Sequence, residues 1–493
     1  MSKTADFLAI DLGAESGRGV IGSFDGGRLK LKVVHRFPNG PVRAGGSLYW
    51  DALRLFDEIQ HSLALTAKRG PISGVGVDTW GVDYGLLGRG DVLLGNPYHY
   101  RDSRTDGMME EAFKKVPPEE IFERTGIQFM QINTLYQLLS MSKDRSPLLQ
   151  MAETLLLMPN LFSFWLSGAK VAEFTDATTT QCYDPRAGGW ALEMMERLGL
   201  PTGILPEIVP PATVLGPILP EVAEQTGARD VPVIATASHD TAAAVAAVPA
   251  VGSSCAYISS GTWSLMGVES REPIINDDVR RANFTNEGGV GGTFRFLKNI
   301  MGLWLIQESR RTWARQGRNL SYEEISQLAA DAQPFKAIID VDHPSFLAPG
   351  DMPARIREFC RTTGQDVPET EGEIARTALE GLALKYRYTL DRLEELTNRR
   401  LDVIHVVGGG CQNKLLCQFA ADATGRPVIA GPVEATAAGN VLVQALAVGL
   451  IASLGEARAI VRSSFDLDRY EPRDTTGWQE AGDRLRRILD GRL

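Results

Sequence analysis

Hydrophobic and polar positions form two kinds of segment along this chain. The first is a short apolar run that ends in acidic or small polar residues, as in residues 7–12 and 72–78. The second repeats apolar residues every three or four positions, as in residues 50–68 and 371–396. Short apolar runs predict buried strands, and longer periodic segments predict amphipathic helices. Because the two kinds alternate, the pattern predicts an α/β protein.

The first eighty residues contain the most regular part of this pattern. Residues 7–12 and 19–24 predict two strands joined by a turn of small residues, and residues 29–37 predict a third strand. A helix over 50–68 and a strand over 72–77 follow. This order of elements resembles the ribonuclease-H-like core of actin-type ATPases.

The second half of the chain opens in the same way as the first. Residues 255–268 again predict two strands around a small polar turn, and a strand over 403–407 leads into a glycine triplet and a helix. Between the halves, residues 249–254 are small and turn-forming. With 493 residues the chain is too long for one core, so we expect two domains, 1–248 and 249–493.

Composition narrows the function classes further. The net charge is −10, and no Lys/Arg block interrupts the chain, which argues against nucleic acid as a partner. The first residues lack the regions of a signal peptide, and the apolar runs are too short or interrupted for membrane spans, so we expect a cytoplasmic protein. The five cysteines form no metal-binding cluster, which predicts free thiols.

Residues 11–18 are the first candidate for chemistry. The turn after the first strand contains Gly13, Ser16, Gly17 and Arg18, which could present backbone N–H groups, a hydroxyl and a cation to phosphates. Asp11, at the end of the strand, could hold Mg²⁺ through water. An ordinary β-hairpin explains the same stretch equally well.

A second candidate follows the predicted strand over 231–237. Ser238, His239 and Asp240 are consecutive and therefore cannot form a hydrolase triad. Asp240 could act as a general base, although this stretch alone favours a role as N-cap of the alanine-rich helix that follows. The chain has no Gly-x-x-x-x-Gly-Lys-Ser/Thr segment, which excludes a Walker-type phosphate site.

Taken together, two phosphate-type turns, the glycine triplet and the acid at a strand end are the layout of two actin-like domains with ATP between them. With several longer runs added, the chain resembles the FGGY family of carbohydrate kinases. The two most specific runs are Asp-Thr-Trp-Gly-Val-Asp at 78–83 and Lys-Asn-Ile-Met-Gly-Leu-Trp at 298–304. The resemblance extends over residues 7–450 and rests on residues 11–18, 78–83, 100–104, 237–241, 259–267, 297–304 and 407–413. It implies two ribonuclease-H-like, actin-type domains with an ATP and sugar cleft between them.

The resemblance also implies a role for individual residues. Asp240 would be the general base, and Asp11 would serve the Mg²⁺ ion. The residues implied to contact ATP are Ala14, Glu15, Ser16, Gly17, Arg18, Thr262, Gln307 and Gly409. The residues implied to contact the sugar are Gly81, His239, Asp240, Thr241 and Asn299. Glu15 departs from the family pattern, which often has a small polar residue at this position. An acid beside a polyphosphate is unfavourable unless it faces solvent, so we do not expect Glu15 itself to bind phosphate.

The activity implied is transfer of phosphate from ATP to the 1-hydroxyl of L-rhamnulose, in L-rhamnose degradation. Another ketose, such as L-fuculose or a xylulose, is the nearest alternative. An actin-like or heat-shock-type ATPase switch is the alternative from another class. The expected partners are therefore ATP and a small sugar, with no nucleic acid or membrane, for a monomer or small homo-oligomer.

Overall fold

The computed structural model describes residues 4–473 and 475–491. Its strands are β1 (Ala5–Leu12), β2 (Ser16–Phe24), β3 (Leu29–Pro38), β4 (Val42–Ala44), β5 (Ser47–Tyr49), β6 (Gly74–Thr79), β7 (Tyr84–Leu87), β8 (Thr154–Leu157), β9 (Val171–Glu173), β10 (Tyr183–Asp184), β11 (Gly189–Trp190), β12 (Glu207–Val209), β13 (Thr213–Pro217), β14 (Pro232–Ala235), β15 (Cys255–Ser260), β16 (Trp263–Ser270), β17 (Thr285–Gly288), β18 (Phe294–Met301), β19 (Val403–Val407), β20 (Val428–Ala430) and β21 (Asp468–Tyr470).

The α-helices of the described residues are α1 (Ala52–Ala67), α2 (Met108–Phe113), α3 (Pro118–Thr125), α4 (Thr134–Lys143), α5 (Pro147–Met151), α6 (Met158–Ser167), α7 (Phe174–Ala177), α8 (Leu192–Leu198), α9 (Pro220–Thr226), α10 (Asp240–Ala246), α11 (Asp277–Ala282), α12 (Trp304–Arg315), α13 (Tyr322–Asp331), α14 (Met352–Thr362), α15 (Glu371–Thr397), α16 (Lys414–Thr424), α17 (Ala435–Ala447), α18 (Leu454–Ser464) and α19 (Thr476–Leu489). Short 3₁₀ turns connect several of them. No helix of this part of the chain is long and apolar enough to cross a membrane.

The chain divides into two compact units. The first runs from the start of the described residues to Pro249 and also takes up Glu269–Phe296 and Ala435–Ser464. The second contains Ala250–Val268, Leu297–Glu434 and the chain from Phe465 onward. The domain boundary between 248 and 249 stays a prediction, because two later segments, with β17 and with α17 and α18, return to the first unit.

The main sheet of the first unit has the strand order β13-β14-β6-β1-β2-β3. β1 pairs antiparallel with β2, which pairs antiparallel with β3, whereas β1, β6 and β14 run parallel. From Phe7 to Leu12 every residue of β1 is buried, as its continuous apolar run predicts for a central strand. The carboxyl ends of β1, β6 and β14 therefore meet at one edge of this sheet.

The second unit repeats this topology, which confirms the predicted duplication. Its strands follow the order β18-β16-β15-β19-β20-β21. β15 pairs antiparallel with β16 and parallel with β19, which in turn pairs parallel with β20. In both units the first strand thus pairs antiparallel with the strand that follows it in the chain and parallel with a later strand on its other side.

All five cysteines are free thiols, as predicted. The Cys417 thiol donates a hydrogen bond of 3.5 Å to the Cys411 carbonyl, which places the two residues at the start of α16 as expected. Burial raises the pKa of Cys417 to about 12 and that of Cys411 to about 11. Thiols with such pKa values remain protonated at neutral pH and pack as small apolar groups.

Candidate active site

Three carboxylates lie at the carboxyl ends of the three parallel strands of the first unit. Asp11 is the penultimate residue of β1, Asp78 lies opposite it in the register of β6, and Asp240 begins α10 shortly after β14. A β-bridge between Thr79 and His239 joins the ends of β6 and β14. Sequence reasoning missed Asp78, although an acid at the end of a strand, as at Asp11, was the available signal.

The environments of Asp78 and Asp240 differ in exposure. Asp78 is fully buried, and burial together with the Asp11 and Asp240 charges raises its pKa well above the usual value. Burial and the Asp11 charge also raise the pKa of Asp240, to about 7. The Asp240 side chain nevertheless keeps 31% of its surface exposed, so a substrate hydroxyl can reach it.

Asp240 is the first residue of α10 and not its N-cap, which is His239. The capping alternative for Asp240 is therefore wrong. Its Oδ1 instead accepts a hydrogen bond of 3.0 Å from the Thr241 hydroxyl. The exposed carboxylate of Asp240 is held by its neighbour and remains available for proton transfer.

The segment before Asp240 is held by residues 173–181, named here the threonine-rich loop, which begin at the end of β9 and include the short helix α7. The sequence pattern alone does not predict a role for them. The Glu173 carboxylate accepts hydrogen bonds from the Ser238 N–H (3.0 Å) and the Thr175 hydroxyl (2.5 Å). The Thr175 hydroxyl oxygen also accepts from the His239 N–H at 3.2 Å. Glu173 is fully buried, which raises its pKa to about 7. Glu173 and Thr175 thus fix the backbone that carries Asp240.

The same loop positions the residues around Gly81. The Thr179 hydroxyl accepts a hydrogen bond of 3.1 Å from the Val82 N–H, and a Cβ at Gly81 would lie 3.0 Å from the Thr179 side chain. A larger residue at 81 would displace this contact. Gly81 therefore allows the backbone after β6 to approach the threonine-rich loop closely.

An aromatic cluster surrounds Asp83, the last residue of the Asp-Thr-Trp-Gly-Val-Asp run. Trp50 stacks between Trp80 and His99, with ring centroids 3.8 and 4.2 Å away. Both indole N–H groups donate to Asp83 Oδ2, at 2.6 and 3.0 Å. Burial raises the pKa of Asp83 to about 6. The cluster therefore holds the polar and aromatic stretch at 97–104 through His99, which stacks on Trp50, and through the Tyr100 N–H, which donates to Asp83.

The predicted phosphate turn of the first unit is the tight hairpin loop between β1 and β2. Gly13 N–H donates to the Ser16 carbonyl at 3.0 Å, and the Asn39 amide donates to the Gly13 carbonyl at 2.8 Å. Neither Gly13 nor Gly17 has a positive φ, and a Cβ at Gly17 would lie 2.2 Å from the Phe37 ring. Gly17 is thus required by packing against Phe37, and its contact with phosphate stays a prediction.

Arg18 and Asp11 form an ion pair in the first unit. The Arg18 guanidinium donates from Nε (2.9 Å) and Nη2 (2.6 Å) to the same Asp11 oxygen. Asp78 Oδ2 accepts from the Asn440 amide at 2.5 Å, whereas its buried Oδ1 has no hydrogen-bond partner among the described residues. Carboxylate oxygens are the ligands that Mg²⁺ prefers, so Asp11 and the orphaned Asp78 oxygen fit this ion.

Mg²⁺ usually keeps several waters and is held by one or two carboxylates with substrate phosphates. No group of three or more His, Cys, Asp or Glu in the described chain could hold an ion by itself. The donor set therefore fits an ion that arrives with a phosphate ligand better than a permanently resident metal.

The second unit places its own small polar turn beside a helix start. The Thr262 carbonyl accepts hydrogen bonds from the Gly302 N–H (3.1 Å) and the Trp304 N–H (3.2 Å), at the beginning of α12. Gln307 lies in the first turn of this helix, and its buried Oε1 has no partner in the part of the chain that the structure describes. The turn at Thr262 and Gln307 are thus parts of one local structure.

The glycine triplet packs against the same turn from the neighbouring strand. β15 and β19 are parallel partners, so their carboxyl ends lie side by side. Gly408 has a φ of 83°, and a Cβ at Gly410 would lie 2.0 Å from the Ser260 hydroxyl oxygen. Nothing lies within 4 Å of a Cβ at Gly409. The triplet therefore brings backbone close to β15 while one glycine remains open to a ligand.

Two protein-family models match this chain, one in its first half and one in its second half. Residues 7–246 match the N-terminal domain, and residues 256–448 the C-terminal domain, of the FGGY family of carbohydrate kinases. The chain belongs to the FGGY family of carbohydrate kinases. It is therefore a sugar kinase, which transfers a phosphoryl group to an alcohol, and the family implies ATP as co-substrate.

Curated relatives of this FGGY kinase cover nearly its whole length. A rhamnulokinase of Bacteroides thetaiotaomicron is 44% identical over 477 residues, which are 97% of this chain and 98% of the relative. A rhamnulokinase of Oceanobacillus iheyensis is 42% identical over 465 residues, 94% of this chain and 97% of the relative.

Solved structures match at lower identity. A gluconate kinase of Lactobacillus acidophilus has a TM-score of 0.82 at 18% identity, and Plasmodium falciparum glycerol kinase with ADP has 0.79 at 16%; each match covers 99% of this chain and 98% of the other. The predicted two-domain, ribonuclease-H-like fold is thereby confirmed.

The structure of this FGGY kinase groups the implied site residues within each unit. Asp11, the 14–18 turn, Gly81 and the 239–241 segment belong to the first unit. Thr262, Gln307, Gly409 and Asn299, which is half-buried on β18, belong to the second. Their roles toward ATP and sugar stay predictions.

Two glycines of the triplet provide a matched test of the packing. We expect Gly410→Ala to lower the free energy of unfolding by about 1–3 kcal/mol, because its Cβ would collide with Ser260. Gly409→Ala should change it by less than about 0.5 kcal/mol, since its Cβ meets no atom. Urea unfolding of both variants measures this difference, and equal stabilities would contradict the described turn.

Proposed function

We propose that this kinase transfers the γ-phosphoryl group of ATP to the 1-hydroxyl of L-rhamnulose, giving L-rhamnulose 1-phosphate and ADP. The observation that carries the substrate assignment is full-length similarity to curated rhamnulokinases at 39–44% identity. The solved gluconate and xylulose kinases are only 18% identical, so their similarity concerns the fold alone.

Asp240 is the proposed general base. Its carboxylate is partly exposed and has a pKa raised to about 7, which suits a group that must accept a proton near neutral pH. It would take the proton of the 1-hydroxyl as the oxygen attacks the γ-phosphorus and the bond to the β-phosphate oxygen breaks. The protein contributes little covalent chemistry to this reaction, so most of the catalysis comes from positioning the substrates and neutralising their charge.

The sugar would lie against the segments that the threonine-rich loop holds together. His239 and Gly81 lie at the joined ends of β14 and β6, next to Asp240. Thr241 is buried and already donates to Asp240, so its proposed contribution is to orient the base. Asn299 is proposed as a further sugar contact from the second unit.

The phosphates and adenosine of ATP are assigned to the remaining implied residues. Residues 14–18 and Thr262 would contact the phosphates, with Gln307 nearby and Gly409 at the adenosine. The unpartnered Gln307 oxygen and the open face of Gly409 support this assignment. Asp11 and Asp78 would hold Mg²⁺, which when bound neutralises phosphate charge.

We place the kinase in the cytoplasm, as a monomer or small homo-oligomer without nucleic-acid or membrane partners. The acidic net charge of −10 supports the absence of nucleic acid.

A ketose panel tests the proposed substrate. ATP turnover would be followed by coupled ADP detection with L-rhamnulose, L-fuculose, D-xylulose, L-xylulose or no sugar, at equal ATP and Mg²⁺. We expect the highest kcat/KM with L-rhamnulose and little turnover without sugar. A higher kcat/KM with L-fuculose or a xylulose would show that this other ketose is the preferred substrate. Sugar-independent ATP turnover would favour an ATPase switch.

A further inference from the structure

A fully buried arginine lies behind the proposed sugar site. Arg295, on β18, donates from Nε to the Gly288 carbonyl at 2.7 Å. Its Nη2 lies 3.1 Å from His239 Nδ1 and 3.2 Å from Glu287 Oε2. Its Nη1 has no hydrogen-bond partner within residues 4–473 and 475–491. Burial of an incompletely paired guanidinium is costly, so stability alone explains this residue poorly.

The contact between Arg295 and His239 determines where the imidazole proton lies. A guanidinium has only donors, so His239 Nδ1 must accept with its lone pair. The single proton of a neutral ring then lies on Nε2, which is 3.5 Å from Asp240 Oδ1. Burial and the Arg295 charge lower the pKa of His239 well below its usual value, so the ring stays neutral.

Glu287 competes with Arg295 for the same nitrogen. Its Oε2 lies 3.5 Å from His239 Nδ1, and a carboxylate there would favour a proton on Nδ1. The charged groups that face the imidazole are thus Arg295 and Glu287 at Nδ1 and Asp240 at Nε2. Arg295 neutralises Glu287 and occupies Nδ1 at the same time.

From this geometry we infer that Arg295 is a positioning residue that fixes His239 in the Nε2–H tautomer. His239 then offers one N–H donor on the side of Asp240, where the sugar would bind. The functional part of this inference rests on the proposed function. With the proton on Nδ1, Nε2 would instead face the site with a lone pair and could only accept a hydrogen bond. A doubly protonated ring would form an ion pair with Asp240 and lower the basicity of its carboxylate.

The tautomer can be measured without any activity. Two-bond ¹H–¹⁵N spectra of the full chain labelled at histidine contain signals from only six residues, and His239→Gln identifies the signal of interest. We expect a neutral Nε2–H pattern for His239 in the wild type. Arg295→Met should change it to the Nδ1–H or doubly protonated pattern, because Glu287 then faces Nδ1 alone. The double variant Arg295→Met/Glu287→Gln should reduce that change.

A matched control and a conservative variant complete the design. Arg458→Met removes another arginine of the first unit, which pairs with Glu269, and should leave the His239 signal unchanged. Arg295→Lys keeps a cationic donor and should retain the Nε2–H pattern. If Arg295→Met fails to fold, Arg295→Lys and the wild type decide the question: an Nδ1–H pattern in either overturns the inference.

Kinetics test the functional part separately. Losing one well-placed donor should raise the KM for the preferred ketose about tenfold in Arg295→Met, with recovery in Arg295→Lys and a smaller effect on kcat. An unchanged tautomer in Arg295→Met overturns the inference, as does a changed tautomer with an unchanged KM. If no ketose is a substrate, the proposed function fails, while the spectra still decide whether Arg295 sets the tautomer.

Discussion

Asp240→Asn should lower kcat by about a hundredfold or more, the usual contribution of a general base. The amide has nearly the same shape and can still accept from the Thr241 hydroxyl, so the start of α10 should remain intact. It cannot take up the proton of the attacking hydroxyl. Steady-state kinetics at saturating ATP and sugar measure this loss, and the KM for sugar should change much less.

The pH profile provides the internal control for this variant. The pKa of Asp240 is raised to about 7, and the base must be deprotonated to act, so wild-type kcat/KM should rise through pH 7 and level off above it. That limb should disappear in Asp240→Asn. Asp391→Asn, on the exposed surface of α15, should behave as the wild type. A kcat within a few-fold of the wild type in Asp240→Asn would exclude Asp240 as the base.

Thr262→Val should lower kcat/KM for ATP by about 1–3 kcal/mol of transition-state stabilisation, the range for a hydrogen bond to a charged group. The Thr262 backbone carbonyl holds the start of α12, and this contact is unaffected by the side chain. The substitution therefore removes only the hydroxyl implied to contact phosphate. Initial rates at varied ATP and saturating sugar measure the effect.

The matched control for this variant is Thr424→Val. The Thr424 hydroxyl donates to the Ala420 carbonyl within α16, in the same unit and away from the turn. Thr424→Val should leave kcat/KM for ATP within twofold of the wild type, since no ligand contact is implied for the Thr424 side chain. Equal losses in both variants, or no loss in Thr262→Val, would contradict a phosphate contact at this turn.

The sequence pattern predicts elements well where local signals agree. The strand predicted over 403–407 is β19 with the same limits, and the helix predicted over 371–396 is α15, Glu371–Thr397. Thr370 and Glu373 form a capping box at its start, and Asn398 ends it in a left-handed conformation. The strand predicted over 231–237 is shorter, Pro232–Ala235, because the chain bends there toward Glu173 and Thr175.

The candidate site is predictable only in part. Asp11 and Asp240 stand out because each follows an apolar strand, and this is visible along the chain. Asp78 carries the same signal, but its buried partner Asn440 lies 362 positions away. Glu173 and Arg295 carry no such signal, because their importance comes from contacts with residues 65 and 56 positions away. Such contacts depend on how the strands assemble, which local patterns do not encode.

Identification of the product is the most direct test of whether this kinase phosphorylates the 1-hydroxyl of L-rhamnulose. The wild-type enzyme would be incubated with ATP, Mg²⁺ and L-rhamnulose, and the mixture followed by ³¹P and ¹H–¹³C NMR. We expect one new phosphomonoester whose phosphorus couples to the C1 protons, formed in equal amount to ADP. Release of inorganic phosphate with the ketose unchanged, or a phosphate on another carbon, would contradict the proposed reaction.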